Sequence, residues 1–150
     1  MKLCNKGIAF SKFAYFWKRK EEFCRFERFL DKSLRSIPPD RAAALKLIAS
    51  ELFDNIVEHA KGVFPPLVHV KIKSNRQVRL QISYTSTNFD EFEKILDLRQ
   101  TSPLSSQRSR AIHYSELDER YRGLGLFIVS SLATDIKISR KLVKKIVVHL

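Results

Sequence analysis

Two hydrophobic periods divide this chain, one helical and one alternating. From Ser11 to Ser36 the residues Phe13, Phe16, Trp17, Phe23, Phe26, Phe29, Leu30 and Leu34 recur at three- and four-residue steps with Lys, Arg and Glu between them. That spacing predicts a long amphipathic helix. Ile37-Pro38-Pro39 stops it, because a proline pair cannot continue a helix, and Asp40 is placed to cap the next one. The second helix runs from about Arg41 to Lys61, with Leu45, Ile48, Ala49, Leu52 and Ile56 as its buried side and Gly62 as its terminator.

After Pro65-Pro66 the period becomes two. Val68, Val70 and Ile72 oppose His69, Lys71 and Lys73, and Leu80 and Ile82 oppose Arg79, Gln81 and Ser83, with Asn75-Arg76 as the turn between them. The C-terminus repeats the alternation: Ile136 and Ile138 oppose Lys137 and Ser139, and Ile146, Val148 and Leu150 oppose Lys145, Val147 and His149. Between the hairpins, Asn88 to Leu98 reads as a short helix, Arg99 to Arg122 as a long polar connection, and Leu124 to Ala133 as a buried helix. The expected fold class is α+β, a two-layer sandwich whose mainly antiparallel sheet carries helices on one face and a mostly basic surface on the other.

Composition sets the bounds. At 150 residues and 44% apolar content, the chain is expected to form one domain over 1–150, without needing a disulfide. Cys4 and Cys24 lie apart without metal-ligand spacing, and MKLCNKGIAF lacks the apolar core of a signal peptide, so the expected location is the cytoplasm. The apolar run Leu124 to Ala133 is too short to span a bilayer, so no membrane association is expected. A net charge of +12 attracts anionic partners, nucleic acid among them, although the basic residues are dispersed and no reader module accompanies them.

Two polar constellations stand out from this background. Glu51, Asn55 and His59 are four residues apart in ELFDNIVEHA, so a carboxylate, an amide and an imidazole share one stripe of the second helix. A carboxylate can take a proton, and an amide oxygen can ligate Mg²⁺. Asn55 is a mediocre helix former set mid-helix among apolar neighbours, which points to a task for its amide. Gly123 and Gly125, in the run Gly123-Leu124-Gly125-Leu126, lie where the polar connection meets the buried helix, and backbone N–H groups there suit an anionic phosphate. Arg120 and Arg122 lie just upstream as further phosphate partners. His59, His69, His113 and His149 are too scattered for a metal centre, and no hydrolase triad has supporting turn chemistry.

With these motifs in this order, the chain resembles the GHKL, or Bergerat-fold, ATPases, and within them the anti-sigma-factor serine/threonine kinases. The resemblance covers roughly residues 40 to 150 and is compatible with the N-terminal segment and long amphipathic helix that make up 1–36. It implies ATP and Mg²⁺ as cofactors, Glu51 as the general base, Asn55 as the Mg²⁺ ligand with His59 and Ala60 completing the motif, and residues 99–122 as a lid closed by Gly123, Leu124, Gly125 and Leu126. The family's D-x-G-x-G segment is replaced by Tyr84-Thr85-Ser86-Thr87-Asn88, so positions 84, 86 and 88 would meet the base without a carboxylate or glycines. Losing a buried charged hydrogen bond costs about 1.5–3 kcal/mol, roughly tenfold to a hundredfold in affinity.

Three functions follow. The first is an ATP-dependent regulatory kinase acting on a protein partner such as a sigma factor or an anti-anti-sigma-like regulator, with a homodimer as a further option. The second keeps the fold but works as a catalytically degenerate protein-binding module with weak or no ATP binding. The third uses Lys71, Lys73, Arg79 and Lys137 on the open sheet to hold nucleic acid or an acidic protein.

Overall fold

A computed structural model describes residues 9–60, 67–86, 113–115, 120–122, 129, 131–139 and 143–150. The first strand, β1 (Phe10–Trp17), is followed by a short 3₁₀ turn (Lys20–Glu22), α1 (Phe23–Ser33) and α2 (Pro39–His59). Then come β2 (Leu67–Ser74), β3 (Val78–Thr85), β4 (His113–Ser115), β5 (Arg120–Arg122), β6 (Asp135–Ser139) and β7 (Val143–His149). Five of these strands form one sheet in the order β1-β2-β3-β7-β6, and every neighbouring pair in it is antiparallel. With α1 and α2 packed on one face, the fold is the expected α+β sandwich. No helix among the described residues is long and apolar enough to cross a membrane.

The expected helix over Ser11 to Ser36 is corrected. Its first third is β1, an edge strand paired with β2 in the register Phe13↔Lys71 and Tyr15↔His69. The segment FSKFAYFW is aromatic-rich, and such residues favour a pleated surface once a partner strand is present. Phe16 points inward and is fully buried, whereas Phe13, Tyr15 and Trp17 point to the open face. Glu22 joins strand to helix: its buried carboxylate accepts the Trp17 N–H at 3.2 Å and Arg25 Nη1 at 2.5 Å.

α2 also begins earlier than expected. Pro39 is its first residue, where a proline's fixed φ suits a helix and its missing N–H costs nothing. Pro38, extended at φ −51° and ψ 139°, takes the capping position with no side-chain bond, so Asp40 lies within the first turn instead. At the other end, Lys18 Nζ donates to the Ala60 carbonyl at 2.7 Å and satisfies one of the helix's last acceptors. Gly62 lies outside the described residues.

The core lies between the helices and the inner sheet face. Leu45, Ile48, Ala49, Leu52 and Ile56 of α2 are buried as their spacing predicts, against Val68, Val70, Ile72, Leu80, Ile82, Ile146 and Val148. Phe16, Phe26 and Phe53 tie β1 to both helices, with Phe26 stacked on Phe53 at 4.3 Å and edge-on to Phe16 at 5.2 Å. Both expected hairpins are present, and Gln77 N–H donates to Asn75 Oδ1 at 3.2 Å in the first turn. Val129, Ser131 and Leu132 are helical, and the Ala133 N–H donates to the Val129 carbonyl at 3.0 Å, the last turn of the helix expected there. The expected helix at 88–98 lies outside the described residues.

Candidate functional site

α2 presents the candidate residues because its two faces differ in burial. Leu52 and Ile56 anchor it to the core, while Glu51 and Asn55, one turn apart, are half-buried beside them. Asn55 Nδ2 donates to the Glu51 backbone carbonyl at 2.6 Å. This bond accounts for part of the amide's presence mid-helix, and it turns Oδ1 into the group left for other partners. His59 is the last residue of α2, one further turn along the same stripe.

The Glu51 carboxyl is pushed above its ordinary value, first by burial and then by the charge of Asp54. A carboxylate so placed holds a proton more readily than one in water, which suits a group that accepts one during a reaction. Beside it opens a recess of about 380 Å³ between α2 and the start of α1, lined by Lys20, Phe23, Ser50, Glu51, Asp54 and Glu58 among others. Asn55 does not line it, so Glu51 stands between this recess and the stripe shared with Asn55.

The positions that the resemblance assigns to the base are different in kind. Tyr84, next to last in β3, points inward and is only 2% exposed, its ring part of the core with Leu80 and Ile82. Ser86 follows it and is buried as well. Across the ladder the residue opposite Tyr84 is Lys144 of β7, itself 7% exposed. The sequence reading missed this lysine, although extending the Ile146 and Val148 alternation back two residues places it inside. Neither a lysine nor a phenol supplies the pair of carboxylate acceptors that the resemblance implies at this point.

Arg120 and Arg122 are the ends of β5, which pairs with β4 as a two-stranded ribbon in the register His113↔Arg122 and Ser115↔Arg120. The polar connection expected to be irregular thus contains strand structure. Asn88, Gly123, Leu124, Gly125 and Leu126 lie outside the described residues. Glu51, Asn55 and His59 are therefore brought together on one helix, Tyr84 and Ser86 at one end of β3, and the two arginines on the ribbon.

Comparison with known proteins gives this arrangement a context. The profile described as the histidine kinase-like ATPase domain matches residues 16–148. No curated protein matches the chain. Among solved structures, a chain in the crystal structure of the SiaB–SiaC complex from Pseudomonas aeruginosa is similar, with a TM-score of 0.61 at 14% identity over 95% of this chain and 88% of that one. At that identity the likeness is one of fold.

Proposed function

We propose, since the chain belongs to the histidine kinase-like ATPase domain family, that it is a nucleotide-binding regulator of the anti-sigma type that acts on a protein partner. The observation that carries this reading is the Asn55 amide, whose nitrogen is engaged by the Glu51 carbonyl and whose oxygen is left as a hard ligand. Mg²⁺ and ATP fit this end of the site: Asn55 Oδ1 would hold the metal, and Arg120, Arg122 and the glycines at 123 and 125 would face the phosphates. When bound, the nucleotide supplies a transferable γ-phosphoryl group and Mg²⁺ neutralises phosphate charge. Glu51 would take the proton from a partner Ser or Thr hydroxyl at its half-buried carboxylate, and His59, one turn further along α2, completes the motif.

The base end does not fit adenine in the way that the resemblance implies. No carboxylate stands at position 84, the phenol there is in the core, and the residue opposite it in the ladder is a lysine. Recognition of the adenine amino group is therefore absent from this reading, and nucleotide affinity comes from the phosphate end. The outcome expected in calorimetry is Mg-dependent binding of ATP and GTP within about tenfold of each other, a spread of under about 1.4 kcal/mol. Asn55→Ala removes that binding. If ATP binds tightly and GTP not at all, the assignment of the base end is wrong; if Asn55→Ala leaves binding intact, the metal assignment is.

A second reading is favoured by the same buried Tyr84: a protein-binding module that has lost nucleotide turnover. Under it the partner is held equally with and without Mg-ATP and is never phosphorylated. The neighbouring fold comes from a two-protein complex, which is consistent with either reading.

A further inference from the structure

We infer that the open face of the sheet is a binding surface for single-stranded nucleic acid, with β1 as the stacking rail and the adjoining strands as the phosphate track. The placement of β1 creates this surface. Phe13, Tyr15 and Trp17, two residues apart on one side of the strand, are 63%, 54% and 43% exposed. His69 of β2 joins them, with its ring 4.5 Å from Tyr15 at 30° and 6.0 Å from Phe13. The result is a continuous row of ring surface along one edge, on a strand that water alone would not favour in this orientation.

The cations lie immediately beside it. Across the ladder, Ser11 faces Lys73 and that row continues to Arg79; Phe13 faces Lys71 and that row runs through Gln81 and Val147 to Lys137; and Tyr15 faces His69, whose row runs through Ser83 to Lys145. Asp135, paired with Lys137 at 3.7 Å, is the one acid on this face among the described residues. Arg79 Nε is buried without a hydrogen-bond partner among those residues. Rings that accept bases in succession, next to cations that follow a backbone, are what single strands need, and a sheet presenting two or three aromatics is a known platform for them. An acidic protein would use the charges but has no need of a row of flat rings. A duplex keeps its bases stacked on each other and unavailable to them.

The test is fluorescence anisotropy of the full chain with a short labelled oligouridine, its oligothymidine counterpart, a duplex, and labelled polyglutamate. The expected result is binding of both single strands ahead of the duplex, weakening steeply between about 50 and 200 mM salt. Tyr15→Ala is expected to lower single-strand affinity about five- to a hundredfold, and Tyr15→Phe to restore it. Charge reversal at Lys71 and Lys73 should lower affinity for every anion. Circular dichroism of each variant reports folding, and Tyr15→Phe keeps the ring if Tyr15→Ala unfolds. No binding of either strand at about 10⁻⁴ M protein in low salt overturns the proposal. So does polyglutamate binding that depends on the Tyr15 ring as strongly as oligouridine binding does, which would assign the face to an acidic protein. Sedimentation showing a dimer that strands cannot dissociate and that Tyr15→Ala does dissociate would overturn it too. Nucleotide binding at Asn55 is unaffected by any of these outcomes.

Discussion

The two sides of the sheet are made from the same strands and differ in what they demand of a side chain. Toward the helices, Val68, Val70, Ile72, Leu80, Ile82, Ile146 and Val148 are all sealed from water. Their alternate neighbours His69, Lys71, Lys73, Arg79, Gln81 and Lys145 meet solvent or are only partly covered. Both sides obey one period, yet the inner one is bound by packing along its whole length, where each lost methylene is felt, whereas on the outer one Val147 is the buried residue among those described. At its exposed positions the outer side is far less constrained, so the exposed rings at Phe13, Tyr15 and Trp17 and the cations beside them need a reason other than folding. The difference teaches which substitutions report on architecture and which on binding.

The sharpest way to break this contrast is at the point where strand and helices meet. Phe26→Ala removes the ring that stacks on Phe53 and abuts Phe16, and is expected to cost about 3–5 kcal/mol in urea unfolding. A loss below about 1 kcal/mol would mean that the aromatic cluster is not part of the core that holds β1. A smaller effect is expected from Lys18→Met, which removes the bond to the Ala60 carbonyl but keeps the aliphatic stem. About 0.5–1.5 kcal/mol should go, and no change would show that water replaces the cap.

Glu51→Gln lies between the two extremes. Because its folded carboxyl is raised above the ordinary 4.5, the native state holds that proton more tightly than the unfolded chain, so ionisation at neutral pH works against folding. That penalty is absent below the ordinary value and is established as pH rises through the raised one. The variant should therefore melt slightly higher at pH 7 and lose its advantage on acidification below 4.5. A variant less stable at neutral pH would show the carboxylate to be satisfied by a favourable partner. The smallest effect belongs to the open face: Lys73→Ala should change unfolding free energy by less than about 0.5 kcal/mol while weakening anion binding. A larger loss would erase the distinction between the faces.

The periods made most of this legible before any coordinates. α2 and both hairpins follow from spacing alone, since their apolar positions match one template and not the other. β1 was hidden because Phe13, Phe16 and Trp17 satisfy helical steps, and the strand is defined by a partner some fifty positions away in Leu67–Ser74. The β4–β5 ribbon, three residues a side, is too short to leave a period. At the site, the Glu51–Asn55–His59 stripe could be read because a helix repeats every turn. The inward side of Tyr84 and of Lys144 continues the alternation of their strands, but their facing each other could not be read, because register between β3 and β7 is a property of the folded sheet.

An edge of eight residues with outward rings is also a template on which a foreign strand could grow, and Lys12 is its only charged residue. A net charge of +12 opposes such growth by repulsion that acts over about 8 Å at physiological salt. Raising ionic strength shortens that reach, so self-association along the exposed border is expected to be greater in concentrated salt than in dilute buffer.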